Sequence, residues 1–239
     1  MNVHQELPSW LLNFQQQNTP GNRPFVTLSY AQSLDGSIAL NDREPLVLSG
    51  AESLRLTHQL RSLHDGILVG IGTVLSDDPQ LTVRHWDGES PQPIILDSQC
   101  RIPAAARLRH RAEKSTWVLT TSEAGWQNIE GIEIHPMQAD EHGRVCLNHA
   151  LEFLYGRGIK RLMVEGGAQV ITSFLKAGVV DALVLTICPR MIGGYKAVQD
   201  LDLTSTSRLV RLQPMHSARL DEDIVVWGHF ATEACLESL

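Results

Sequence analysis

The run Arg161-Leu-Met-Val-Glu165-Gly166-Gly167-Ala168-Gln169-Val170-Ile171-Thr172-Ser173-Phe174-Leu175-Lys176-Ala177-Gly178 decides how this chain is read. Leu162 to Val164 are an apolar stretch of strand length. Val170, Ile171, Phe174 and Leu175 then recur at helical spacing, and Gly178 closes the helix. Between strand and helix stand a carboxylate and two glycines. Glycine permits close backbone approach, and the unpaired N–H groups of a helix's first turn suit an anion such as a phosphate. Glu165 stands at the carboxyl end of the strand, where open α/β sheets bind their ligands. Glu-Gly-Gly alone is a common turn, so the reading depends on what joins it.

Working outward, Val179 to Pro189 form a long apolar strand that leads to a second glycine turn, Arg190-Met-Ile-Gly193-Gly194. Before the opening run, Leu147, Ala150, Leu151, Leu154 and Tyr155 mark an amphipathic helix. Buried strands are expected at Arg23–Ala31, Gly66–Ile71, Pro93–Ser98 and Trp117–Thr121, with short ones at Ser37–Leu40 and Ile132–Ile134. Two last strands, Leu209–Gln213 and Asp223–Phe230, suggest an antiparallel end. Ser49 and Glu52 have capping-box spacing and open a helix whose Leu56, Leu60 and Leu63 share a face, with Arg61 near its end. Gln32-Ser-Leu-Asp-Gly36 reads as a turn. Gly72 to Arg84 read as a loop in which Thr73, Asp77 and Arg84 bring together a hydroxyl, a carboxylate and a phosphate-suited guanidinium. The fold class is therefore α/β, a mostly parallel central sheet flanked by helices.

Residues 1–22 read as an extension: a helix over Leu7–Phe14 capped by Ser9, then Thr19-Pro-Gly-Asn22. Its Trp10, Leu12 and Phe14 offer an apolar face to the body or to a second subunit. Residues 23–239 form one domain, a size common for single α/β domains. Hydrophobic residues make up 43% of the chain and charged residues 20%, as in ordinary soluble proteins. The net charge of −7 argues against nucleic-acid or anionic-membrane partners but leaves room for a local basic pocket. Cys100, Cys146, Cys188 and Cys235 form no CxxC pair, which points to a reducing cytoplasm. No apolar run is long enough to cross a membrane. His135, His142 and His149 have no clustered second ligand and read as solvated, so no metal is expected.

Five stretches then stand in one order: Gln32–Gly36; the helix carrying Arg61; Gly70-Ile-Gly-Thr73-Val-Leu-Ser-Asp77-Asp-Pro79-Gln-Leu81-Thr-Val-Arg84; Ile95-Leu-Asp-Ser98; and Val164–Gly167 continuing to Pro189–Gly194. From about residue 23 to about residue 230 this resembles the riboflavin-biosynthesis pyrimidine reductases, a family with a dihydrofolate-reductase-like fold. The resemblance implies an NADPH-dependent, homodimeric enzyme. Its reaction reduces a 5-amino-6-(5-phosphoribosylamino)pyrimidine, in its uracil or 2,5-diamino-pyrimidinone form, to the ribitylamino 5′-phosphate by hydride transfer to C1′. By resemblance Arg61, Leu81, Arg84 and Glu165 contact the phosphorylated substrate. Glu165 is also the catalytic candidate, to anchor the pyrimidine amino group or steady positive charge on the opened sugar imine. Thr73, Asp77, Ser98 and the run Gly167, Ala168, Gln169, Val170, Ile171, Thr172, Ser173 match NADPH-contacting positions, with Ala31 and Val47 on the cofactor wall. The zinc deaminase signature that many relatives carry, His-x-Glu with Pro-Cys-x-x-Cys, does not occur, so reduction without deamination is expected. Pro45 and Val47 depart from the family pattern beside the substrate. That departure keeps open an alternative, a reductase of another pterin- or pyrimidine-like compound.

Overall fold

Apolar runs that are continuous rather than alternating fit strands covered on both faces. A computed structural model describes residues 2–41, 46–111, 113–122, 130–203 and 210–230, and arranges those runs in this way. In chain order come α1 (Val3–Gln17), β1 (Phe25–Ser33), β2 (Ser37–Ala39), α2 (Ala51–Ser62), β3 (Gly66–Gly70), α3 (Ile71–Asp77), β4 (Gln92–Leu96), β5 (Thr116–Thr120) and β6 (Ile132–Pro136). Then follow α4 (Leu147–Gly156), β7 (Arg161–Val164), α5 (Ala168–Lys176), β8 (Ala182–Cys188), β9 (Tyr195–Lys196), β10 (Leu212–Leu220) and β11 (Asp223–Phe230). Nine strands form one sheet in the order β10-β11-β8-β1-β7-β3-β4-β5-β6, and β2 pairs with β9 apart from it. From β8 to β6 every neighbouring pair is parallel. β11 and β10 close one end antiparallel.

Successive residues of the middle strands feed different cores, as the two-residue period of a strand requires. In β3, Leu68 packs in the cluster that holds Leu151 and Leu154 of α4 and Ile171 and Phe174 of α5. Its neighbours Ile67 and Val69 pack with Val74 of α3 on the other face. In β7, Leu162 and Val164 join the first cluster, while Met163 meets Leu56 and Leu60 of α2. Adjacent strands β3 and β7 are thus followed by helices on opposite faces, α3 on one and α5 on the other. Their turns diverge, which opens a crevice at the carboxyl ends of the strands, the topological switch point of a parallel sheet.

Close approach holds the start of α5 there. A Cβ added to Gly166 would lie 2.7 Å from Val170 Cβ, and one added to Gly70 would lie 2.7 Å from Val170 Cγ2. Val170 therefore fills the space of two absent side chains. Gly167 differs: its φ of −72° suits any residue, and an added Cβ would meet only Thr73 Oγ1, at 3.5 Å.

Several expectations need correction. The residues after β3 open with the helix α3 rather than a loop, so the loop begins only at Asp78. Ser49 does not cap α2. The N-cap is Gly50, and the cap comes from the β10–β11 turn, where Asp223 Oδ2 accepts Gly50 N–H at 2.9 Å and Ser53 Oγ at 2.6 Å. α1 is longer than expected and is capped by Asn2, not Ser9. Its buried stripe is Val3, Leu7 and Leu11, which pack with α2, Val225 and Trp227; Trp10 and Phe14 cover that cluster's edge. The penultimate strand is Leu212–Leu220, because an edge strand with one face in water lacks the apolar run that would reveal it. His135 is not solvated: it packs between Trp117 and Phe153, and burial lowers its pKa. Pro45, Leu209 and Cys235 lie outside the described residues.

The Val170 contact gives a direct stability test. Gly166→Ala is expected to cost about 1 to 3 kcal/mol through overpacking, read as a lowered Tm, while Gly167→Ala leaves Tm nearly unchanged. Equal melting of the two variants would remove close packing as the reason for Gly166.

Candidate active site

Glu165 is the first residue beyond β7, and its N–H still donates to Leu68 O of β3 at 3.0 Å. That bond fixes the carboxylate at the mouth of the crevice. Arg61 comes from the last turn of α2, where it is almost fully buried. Its Nε donates to Glu165 Oε1 at 2.7 Å and its Nη2 to Oε2 at 2.6 Å, a bidentate pair in parallel geometry. Its Nη1 donates to Thr82 O at 3.0 Å. Burial opposes the charge on Arg61, but the Glu165 carboxylate outweighs it and holds the guanidinium pKa above the ordinary arginine value.

The loop that follows α3 is bent by two residues in the left-handed region, Asp78 (φ 41°) and Leu81 (φ 51°). Leu81 pays for this strain by burying its side chain among Ile67, Val74 and Leu108. It therefore has only its backbone to offer a ligand. The bend carries Thr82 and Arg84 back to α2, where the Arg84 N–H donates to His58 Nδ1 at 3.0 Å. Arg84 is exposed, and its Nη1 donates to Thr82 Oγ1 at 2.6 Å. Its pKa is lowered first by partial burial and then by the positive charges of Arg61 and Arg107. A recess of about 360 Å³ beside Thr82 is walled by Arg107, His110 and Arg111. An anion placed here would find cations already gathered, despite the acidic total charge.

On the other side of Glu165 the turn into α5 faces α3, with Thr73 Oγ1 beside Gly167. The first helical bond of α5 runs from Ile171 N–H to Gly167 O, which leaves the N–H groups of Ala168, Gln169 and Val170 without intrahelical acceptors. Among the described residues no side chain caps this helix. Such a terminus suits a diphosphate, and the missing Cβ of Gly167 keeps the approach open. Two residues further along the expected run point elsewhere: Ile171 lies in the core, and Thr172 Oγ1 accepts Gln199 N–H at 2.9 Å. Ser98 follows β4, and its Oγ accepts Val145 N–H at 3.0 Å while keeping its own hydrogen to donate. Asp77 is exposed at the end of α3. Ala31 is half-buried in β1, and Val47 is exposed, its carbonyl accepting Arg190 Nη1 at 3.2 Å.

Two residues organise this edge without having been singled out for it. Asp35 accepts from Ser33 Oγ, Ser37 Oγ, Lys196 Nζ and the N–H groups of Ile192 and Gly193 at 2.6 to 3.0 Å. Lys196 above all, with the two serines, holds its carboxyl far below the usual range. The turns after β1 and β8 are stapled together by this one carboxylate. A signal existed in the short spacing of Ser33, Asp35 and Ser37, but the partners from residues 192–196 are not local. His58 is the second such residue.

Comparison with known proteins identifies relatives of this chain. The family model of the RibD C-terminal domain matches residues 24–226. The 2,5-diamino-6-ribosylamino-4(3H)-pyrimidinone 5′-phosphate reductase of Archaeoglobus fulgidus is 36% identical over 219 residues, covering 87% of this chain and 99% of its own. The riboflavin biosynthesis protein RibD of Aquifex aeolicus is 34% identical over 206 residues, covering 86% of this chain and 57% of its own. The solved riboflavin biosynthesis reductase Rib7 of Saccharomyces cerevisiae superposes with a TM-score of 0.76 at 30% identity, over 95% of this chain and 100% of that one. A dihydrofolate reductase from Enterococcus faecalis, 15% identical with a TM-score of 0.51 over 87% of this chain and 97% of its own, shares the fold alone. With the family model matched across most of its length and a relative of its own size at 36% identity, the chain belongs to the RibD C-terminal domain family.

Proposed function

We propose that this protein is an NADPH-dependent reductase of riboflavin biosynthesis. Its substrate is a 5-amino-6-(5-phosphoribosylamino)pyrimidine, which it converts to the ribitylamino 5′-phosphate. The observation that carries the reading is the Arg61–Glu165 pair at the end of β7, flanked by the exposed Arg84 and by an uncapped helix terminus. Relatives matched over nearly their whole length are named for the 2,5-diamino pyrimidinone 5′-phosphate, which favours that form over the uracil form. The same names speak against an unrelated pterin-like substrate. Preference for NADPH, a homodimer and a cytoplasmic setting belong to this proposal through the family resemblance. Among the described residues no helix is long and apolar enough to cross a membrane.

The residues fit the cofactor: the free N–H groups of Ala168, Gln169 and Val170, the open face of Gly167 and the hydroxyl of Thr73 would hold its phosphates and ribose. NADPH bound there supplies hydride to C1′ of the opened sugar. The protein's part is placement and charge. Each Glu165 oxygen takes one N–H from Arg61 and retains further lone pairs for a pyrimidine amino group or for positive charge developing near C1′. Because Arg61 and Glu165 neutralise each other, the exposed Arg84 is assigned to the 5′-phosphate, with Arg107 and Arg111 at the neighbouring recess. Arg61 contributes by fixing Glu165 and Thr82 rather than by offering its own fork.

Two experiments follow. Purified protein mixed with NADPH and the diamino ribosylamino-pyrimidine phosphate is expected to consume NADPH absorbance and yield the ribitylamino product. No consumption with either the diamino or the uracil form would overturn the reading. Arg84→Ala is expected to raise KM by about 10- to 100-fold with kcat little changed, since a charged phosphate contact contributes roughly 1.5 to 3 kcal/mol. An unchanged KM would remove Arg84 from the phosphate site.

A further inference from the structure

His58 is fully buried on α2, one turn before Arg61 and on the same face of the helix. Its Nδ1 accepts the main-chain N–H of Arg84 at 3.0 Å, so the neutral ring must carry its hydrogen on Nε2. Nε2 is buried and has no hydrogen-bond partner among the described residues. The ring meets His85 edge-on, with centroids 4.8 Å apart. Burial first, then the positive charges of Arg61, Arg84 and His85, lower the His58 pKa to about 4, with only Glu165 opposing. The imidazole is therefore a fixed acceptor at neutral pH. A buried donor without a partner is costly, and the core would be served as well by a leucine at this position. What a leucine could not do is accept the Arg84 N–H.

Arg61 and His58 together tie the loop to α2 at two points, Thr82 O and Arg84 N. The first bond leaves from the residue that holds Glu165, and the second ends on the backbone of the residue with the exposed guanidinium. We propose that His58 is a positioning residue for phosphate recognition: by accepting the Arg84 N–H it sets where the Arg84 side chain starts, and hence its distance from the Arg61–Glu165 pair. The inference rests on the proposed function, in which Arg84 meets the 5′-phosphate. It adds a residue that touches neither substrate nor cofactor yet governs affinity for one end of the substrate.

The test compares His58→Leu, His58→Asn and His58→Gln. Asn can place an amide oxygen where Nδ1 stands, Gln reaches toward the Nε2 position, and Leu has no acceptor. His58→Leu is expected to raise KM for the phosphorylated substrate about tenfold while kcat stays within about twofold. Asn is expected to restore KM to within about threefold of the wild type, and Gln is not. Inhibition by the dephosphorylated riboside should be the same in wild type and all three variants, because that ligand makes no use of Arg84. If His58→Leu does not fold, the Asn–Gln comparison decides alone. Equal KM for Asn and Gln, a fall in kcat without a rise in KM, or an equal loss of riboside binding would overturn the proposal. Wild-type protein that turns over no ribosylamino-pyrimidine phosphate would remove the functional reading and this inference with it. Turnover with KM indifferent to His58 would remove the inference alone.

Discussion

At the carboxyl ends of β3 and β7 the α2 helix, the Asp78–Arg84 loop and Glu165 are held together by one ion pair, Arg61 with Glu165, closed through two bonds of 2.7 and 2.6 Å. The partners are 104 positions apart in the chain. One ends the helix before β3 and the other ends β7, so the pair locks the two elements whose strands lie side by side at the switch point. Removing charges from water is expensive, and a pair of this kind is weak evidence for stability. Its geometry is better explained by what it presents: a carboxylate held at the mouth of a crevice, with the same guanidinium gripping the loop that carries Arg84.

The two sides of the crevice are built by different means. On the α5 side the device is absence: Gly166 and Gly70 let Val170 settle, and Gly167 leaves the first turn of α5 bare. On the side of the Asp78–Arg84 loop the device is tethering, since an irregular loop with two left-handed residues has no ladder to hold it. Bonds from Arg61 and to His58 take that place. Asp35 does the same for the turns after β1 and β8, and Asp223 for the start of α2. In each case a side chain from one element satisfies backbone groups of another, which is how irregular chain is kept in one conformation at a buried edge.

Much of this was legible in the residues. Apolar runs of strand length, helical spacing and glycine punctuation located β1, β3, β4, β5, β7, β8 and β11, along with α2, α4 and α5, because those signals are local. Of β10 only the start fell within the expected Leu209–Gln213, because its residues alternate against water at the sheet edge. The Ser49–Glu52 spacing suggested a local cap, yet a carboxylate from Asp223 was nearer, and no local rule reports a partner 173 positions away. For the site, Arg61, Arg84 and Glu165 were found through the resemblance. That Arg61 spends its fork on Glu165 and Thr82 was not, since which partner wins a guanidinium is a matter of three-dimensional distance. Leu81 and Ile171 turn their side chains into the core, and Thr172 spends its hydroxyl on Gln199 N–H. His58, one turn before Arg61, carried no signal beyond being a histidine on a helix.

A double-mutant cycle measures directly whether Arg61 and Glu165 act as one unit. Arg61→Gln, Glu165→Gln and the double variant would be compared through kcat/KM for the ribosylamino-pyrimidine phosphate, with Tm recorded for each. The double variant is expected to lose about as much as the worse single variant, a coupling of about 1 to 3 kcal/mol. Losses that simply add would contradict it, because each residue would then be serving the reaction separately.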